Sequence, residues 1–158
     1  MDRRSTRDLV SAIGRQMRTP RISMYGFVLQ DWITIRSTNI SDVIQGESDW
    51  MGFSSFQDIV FWADIREYTP PTGGTPSVTM KFETSPTKDE VLFQTMASTV
   101  VSVATPITPL PKVILAAAPS VPLATWVRWR LTPAGGAGPW DVTFRILVAA
   151  NRVARGAA

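Results

Sequence analysis

The side chains that most often carry catalysis are missing from this chain. It has 158 residues, no histidine and no cysteine. Serine–histidine and cysteine–histidine mechanisms are therefore excluded, as are disulfides and thiolate metal sites. Carboxylates remain. Glu83, Asp89 and Glu90 fall around one loop end, where hard oxygen ligands could hold calcium or a carboxylate could serve a hydrolase. No EF-hand spacing accompanies them, and solvated loop charge is the favoured reading. Asp64 and Glu67 are three residues apart, so a regular strand puts them on opposite faces, where they cannot act together. No cofactor and no metal site is expected.

Tryptophan and arginine are the other chemistry-bearing types. Six tryptophans raise a sugar-binding alternative, a carbohydrate-binding β-sandwich module with Trp126 and loop residues such as Trp50 as its stacking platform. Trp126 and Trp129, however, point to opposite faces of one strand. Trp126 shares its face with Arg128 and Arg130. If the last two strands pair, Arg145 joins them. Trp126, Arg128, Arg130 and Arg145 then form a candidate subunit interface, a setting in which tryptophan and arginine are enriched.

The basic residues are segregated. Residues 1–21 carry Arg3, Arg4, Arg7, Arg15, Arg18 and Arg21 against Asp2 and Asp8, whereas residues 22–158 carry ten basic and eleven acidic residues. The pI of 9.8 is thus a property of an N-terminal arm and not of the body. Ser5 and Asp8 make a box-like helix start. Leu9, Ile13 and Met17 follow at i, i+4 and i+8, so the spacing predicts a helix over residues 5–17. About thirteen residues is marginal for an isolated helix in water, so this one is expected to order when its stripe docks. Pro20 ends the arm. The arm reads as a docking segment for a protein partner, with weak nucleic-acid contact as a further expectation. It lacks the interleaved aromatics of a single-strand binder.

From residue 22 the period changes to two. Strands are expected within residues 23–36, 59–68, 78–83, 93–104, 124–132 and 141–150. Val78, Met80 and Phe82 form one apolar face. Val127, Trp129 and Leu131 form a second, and Val142, Phe144, Ile146 and Val148 a third. Residues 37–57 read as a long surface loop with short structure inside it, anchored to the core by Trp50, Phe53 and Phe56. Pro106, Pro109, Pro111, Pro119 and Pro122 are expected to interrupt pairing. The glycine-rich stretch 133–139 reads as a hairpin connection, and residues 151–158 as a frayed tail. The longest weakly charged stretch, residues 113–127, is too short and too rich in proline to span a bilayer.

The fold class expected is mainly β, an antiparallel β-sandwich of the jelly-roll type with a short N-terminal helical arm. Its units are the arm 1–21, the sandwich 22–150 and the tail 151–158. The run PLATWVRWRL at 122–131, a glycine-rich gap and then WDVTFRI at 140–146 resemble the closing strands of discoidin-like jelly rolls. The run VTMKFETSP at 78–86, with Asp89, Glu90 and Phe93, is similar to small sandwiches among structural virion proteins of tailed bacteriophages, such as capsid decoration and minor head or tail proteins. The resemblance implies a non-enzymatic assembly protein. It would self-associate through its β body, anchor to a larger shell or tail by the arm, and reside in a virion or assembled particle, otherwise in the cytoplasm.

Overall fold

The computed structural model describes residues 24–102, 107–112 and 121–152. The predicted helix over 5–17 and the arm residues Arg3, Arg4, Arg7, Leu9, Ile13, Arg15, Met17, Arg18 and Arg21 lie outside the described residues.

Nine strands account for most of what is described: β1 (Met24–Ser37), β2 (Val43–Ile44), β3 (Met51–Gly52), β4 (Phe56–Thr69), β5 (Ser77–Ser85), β6 (Gln94–Val100), β7 (Ile107–Lys112), β8 (Trp126–Ala134) and β9 (Trp140–Arg152). One sheet has the order β1-β9-β4-β7. The other has the order β2-β8-β5-β6, with β3 also on β8. The described pairings are antiparallel. The first strand pairs with the last, β2 with β8, β4 with β7 and β5 with β6. Pairing therefore nests inward along the chain, as in a long hairpin rolled into two sheets, which is the jelly-roll pattern.

Alternation builds the core. Val78, Met80, Phe82, Val127, Leu131, Val142, Phe144 and Ile146 are fully buried, each one residue away from an outward-facing neighbour. The sheets meet through aromatic pairs. Phe61 of β4 stacks on Phe82 of β5 at 4.2 Å between centroids, and Trp129 of β8 meets the edge of Phe144 of β9 at 5.2 Å. Across the same gap the indole N–H of Trp129 donates to Gln30 Oε1 at 3.0 Å.

Three expectations change. The stretch 133–139 is not a hairpin, because β8 and β9 lie in different sheets. The chain crosses the end of the sandwich there, tied to the 70–76 turn by the Thr72–Ala137 bridge. Gly138 sits at φ 96°, and a Cβ there would come within 2.5 Å of Thr72 Oγ1. Prolines do not keep residues 107–112 out of the sheet. Pro109 and Pro111 are in β7, an edge strand with β4 as its one sheet neighbour, where missing N–H groups are tolerated. The sandwich also runs past residue 150, since Asn151 pairs with Met24 and Asp58, and Arg152 with Phe56. Residues 153–158 lie outside the described residues.

Candidate interaction surface

Each sheet has an outer face, and the two differ. On the β2-β8-β5-β6 sheet the outward positions include Glu83 on β5 and Arg128 on β8, directly opposite one another. Arg128 is nonetheless fully buried and Glu83 nearly so. The cover comes from two loops. Residues 43–52 run along β8 as a broken edge strand, with a 3-10 turn at Glu47–Asp49 between β2 and β3. Gln45 pins this segment. Its amide donates to Leu29 O and Asp49 O, both at 3.1 Å, and its Oε1 accepts the Trp129 N–H at 3.2 Å. The Trp50 indole N–H donates to Gln45 O at 2.9 Å. From the other side comes the 3-10 turn Glu90–Leu92, capped by the Asp89 carboxylate.

Trp50 and Phe93 meet over the sheet with centroids 4.7 Å apart, and the Arg128 guanidinium lies 3.8 Å from the Phe93 centroid and 5.0 Å from that of Trp50. Arg128 Nε donates to Glu83 Oε2 at 2.8 Å. The second oxygen of Glu83 lies 3.0 Å from Arg130 Nε, close but not aligned as a hydrogen bond, and Arg130 Nη1 reaches Asp42 at 3.2 Å. Arg128 Nη1 has Glu90 at 3.7 Å, an ion pair beyond hydrogen-bonding distance.

This arrangement answers several sequence expectations. Glu83 is engaged by two arginines and Asp89 caps a turn, and among the described residues no three carboxylates gather as a metal site. The sugar platform does not form, because Trp50 is 9% exposed and the Trp126 ring lies under Lys88 Nζ at 4.6 Å. The four residues of the candidate interface are separated. Trp126, Arg128 and Arg130 are on one sheet with Arg128 sealed, and Arg145 is on the other sheet. The premise that β8 and β9 pair is overturned by the crossover at 133–139.

The outer face of the β1-β9-β4-β7 sheet has no such cover among the described residues, and Arg145 belongs to it. Its outward rows follow the register. Gly26, Ala149 and Val60 make one row; Val28, Leu147 and Trp62 the next; Thr34, Thr143 and Glu67 a later one. Between the last two lie Trp32, Arg145 and Asp64. The Trp32 ring takes the Arg66 guanidinium at 4.0 Å and that of Arg145 at 4.9 Å. Arg145 Nε donates to Asp64 Oδ2 at 2.8 Å. The Thr143 hydroxyl donates to Glu67 at 3.1 Å and accepts from Thr34 at 2.9 Å.

Bulges set this face. Register shifts between Val28 and Gln30 and between Gln30 and Ile33 leave Leu29 buried and Asp31 exposed. A third, between Ile65 and Glu67, brings Glu67 to the same side as Asp64. The expectation that these two carboxylates oppose one another is corrected by that bulge. Each has its own partner on β9.

At the end nearest Met24 the face is apolar. Gly26, Val28, Trp62, Leu147 and Ala149 line a shallow recess of about 490 Å³. Val28 is 52% exposed, and a Cβ on Gly26 would meet nothing within 4 Å. The clue in the sequence was the loss of alternation. Residues 59–63 and 146–150 are continuously apolar, whereas an antiparallel strand with one wet face should alternate. Trp32, Trp62, Arg66 and Val28 were not singled out from the sequence. Trp32 and Arg66 are marked by their place beside Arg145, and Val28 and Trp62 by their place in the recess.

No family model and no curated protein matches the chain, so neither a discoidin-like nor a bacteriophage family is supported. Solved structures do match. A chain in the structure of infectious bursal disease virus, Gx strain, superposes with a TM-score of 0.50 at 8% identity, covering 85% of this chain and 32% of that one. The VP2 subviral particle of the same virus gives a TM-score of 0.43 at 14% identity, covering 86% of this chain and 38% of that one. T=1 particles derived from it give 0.44 at 16%, covering 86% and 37%. This chain thus spans about a third of the length of the viral chains it resembles. At these identities the likeness is one of fold.

Proposed function

We propose that this chain is a non-enzymatic structural protein of a viral or bacteriophage particle, acting as a capsid-like or decoration building block that works by protein–protein contact. The observation that carries the reading is the outer face of the β1-β9-β4-β7 sheet, which no loop covers among the described residues. An outward row of Val28, Leu147 and Trp62, followed by Trp32 between two arginines, has the composition of an interface centre and not of a wet sheet face. The jelly-roll order and the fold likeness to a chain of a virus particle support it. Fold alone does not choose a function, since jelly rolls also serve as lectins. The sealed Trp50 and covered Trp126 weigh against the sugar reading. The arm 1–21 is the anchor in this proposal, and its arginines supply any phosphate contact.

The test is light scattering behind size exclusion on the full-length chain at low and high salt, with negative-stain microscopy of the same fractions. A discrete oligomer or particle at micromolar concentration is expected. A monomer under every condition overturns the reading.

A further inference from the structure

We infer that the start of β1, Met24 to Val28, is the seam at which two copies of this chain join edge to edge, antiparallel, about a two-fold axis at Gly26. The inference rests on the assembly reading above and names its partner and its contact.

The stretch reads Met24-Tyr25-Gly26-Phe27-Val28. By residue type it is the same in both directions: large apolar, aromatic, glycine, aromatic, large apolar. Opposite residues of an antiparallel pair share a face, so a symmetric pair centres on a residue and not between two. With Gly26 opposite Gly26 of the second copy, Met24 meets Val28 on the outer face. Tyr25 meets Phe27 on the inner side, an aromatic cross-strand pair. The outward row Trp62, Leu147, Val28 is then extended by Met24 of the second copy.

The edge is open where this pairing needs it. β1 is an outer strand with β9 as its one sheet neighbour, and an outer strand presents unpaired backbone groups to another chain. Met24 is 66% exposed, Tyr25 40% and Val28 52%, a concentration of large apolar side chains on five residues of edge. Just past Val28 the edge closes. The strand bulges, and the Gln45 amide donates to Leu29 O at 3.1 Å. Gln30 Nε2 donates to Asp31 O at 3.0 Å, and Asp31 Oδ1 accepts the Trp32 N–H at 2.8 Å. No side chain among the described residues makes such a bond to the backbone of residues 24–28.

Gly26 points the same way. Its backbone does not call for glycine, since it is not among the positive-φ glycines. The packing of the described residues does not call for it either, because a Cβ there would meet nothing within 4 Å. Glycine inside a strand weakens it and often marks the close approach of another backbone. The two-fold register brings that backbone from the second copy. Such a contact is isologous and closes at two chains.

The chain has no cysteine, so Gly26→Cys puts a single thiol at the proposed axis. Opposite residues there have Cα atoms about 4.5–5.5 Å apart, within reach of a disulfide. Val100→Cys, 61% exposed on the edge strand β6, is the control. Full-length chains are oxidised over a range of concentrations and resolved by non-reducing electrophoresis. Gly26→Cys should form a covalent dimer at least about tenfold faster than the control, because pairing raises the effective thiol concentration. Val28→Lys places a charge on the edge and should weaken self-association about tenfold or more in light scattering. Circular dichroism checks that each variant keeps native strand content. Wild type that stays monomeric at every concentration overturns both this inference and the assembly reading. Wild type that assembles overturns the inference alone if Gly26→Cys cross-links no faster than the control, or if Val28→Lys assembles equally well. An edge covered by the chain's own residues before Met24 gives that second result.

Discussion

Replacing Glu83 by glutamine keeps the shape of the side chain and removes the charge. Glu83 is the close counter-charge of Arg128 at 2.8 Å and also faces Arg130 at 3.0 Å. Without it, the fully buried Arg128 keeps only Glu90, which is 3.7 Å away and 62% exposed. Removing one partner of a buried ion pair costs about 3–5 kcal/mol, and the residual pull of Glu90 places this case near the lower end, about 3 kcal/mol. Removing the arginine is a different perturbation. In Arg128→Met, Glu83 retains Arg130, and the methionine can fill the slot beside Trp50 and Phe93. That change should cost about 1–2 kcal/mol, mostly the lost cation–π contact. The double variant should be less destabilised than the sum of the singles, with a coupling of about 1–2 kcal/mol. Urea unfolding followed by tryptophan fluorescence measures all four proteins, and unchanged m-values validate the comparison. Near 3 kcal/mol the loss corresponds to a fall of about 6–12 °C in Tm. The reasoning is refuted if R128M is as costly as E83Q, or if the two losses simply add.

Four other outcomes are expected. Gly138→Ala forces a Cβ to 2.5 Å from Thr72 Oγ1 at φ 96°, so it should cost about 1–3 kcal/mol and lower Tm in a thermal scan. Burial raises the pKa of the Tyr68 hydroxyl above its usual 10, more than its hydrogen bond with the Val78 backbone lowers it. The native state therefore holds this proton longer than the unfolded chain. That contribution to stability is complete below pH 10 and is lost as pH rises through the folded pKa, so Tyr68→Phe should flatten the alkaline limb of a stability-against-pH curve. Asp64→Asn breaks a pair whose arginine is 38% exposed, so its effect on stability should stay below about 1 kcal/mol in urea titrations. Arg145→Glu should instead weaken self-association in light scattering.

Alternation is a local property, and it was readable. Val127, Trp129 and Leu131 on one side of β8 and Val142, Phe144, Ile146 and Val148 on one side of β9 are buried as their spacing predicts. Partner choice is not local. Period two states which side of a strand meets the core, but not which strand lies beside it. That is why a seven-residue glycine-rich link between two good strands read as a hairpin when it crosses between sheets. Bulges were hidden for a related reason. The shift at Ile65/Glu67 adds one residue without a composition signal, and it moves Glu67 to the other face. Burial of Arg128 depends on Trp50 and Phe93, which arrive from opposite sides along the chain. A charged residue on a wet-looking strand position could not announce them.

The contrast between the two outer faces is what motivates the assembly proposal. On one sheet the chain uses its own loops to close the outer face over Arg128, with Gln45 making three hydrogen bonds to hold the cover. On the other sheet Trp32, Trp62, Val28 and Leu147 stand outward without an equivalent cover among the described residues. Val28 is 52% exposed and Trp32, Trp62 and Leu147 are half-buried, so a partner that covered them would recover part of the roughly 1.5–3 kcal/mol that full burial of such a side chain provides. A sheet edge adds to the case. β1 is the outer strand next to the recess, and it is not blunted by proline as β7 is by Pro109 and Pro111. β1 and β7 are the two edges of one sheet, so its uncovered outer face lies between a proline-bearing edge and an edge without proline. Under the assembly reading proposed above, contact is expected on the β1 side of this sheet.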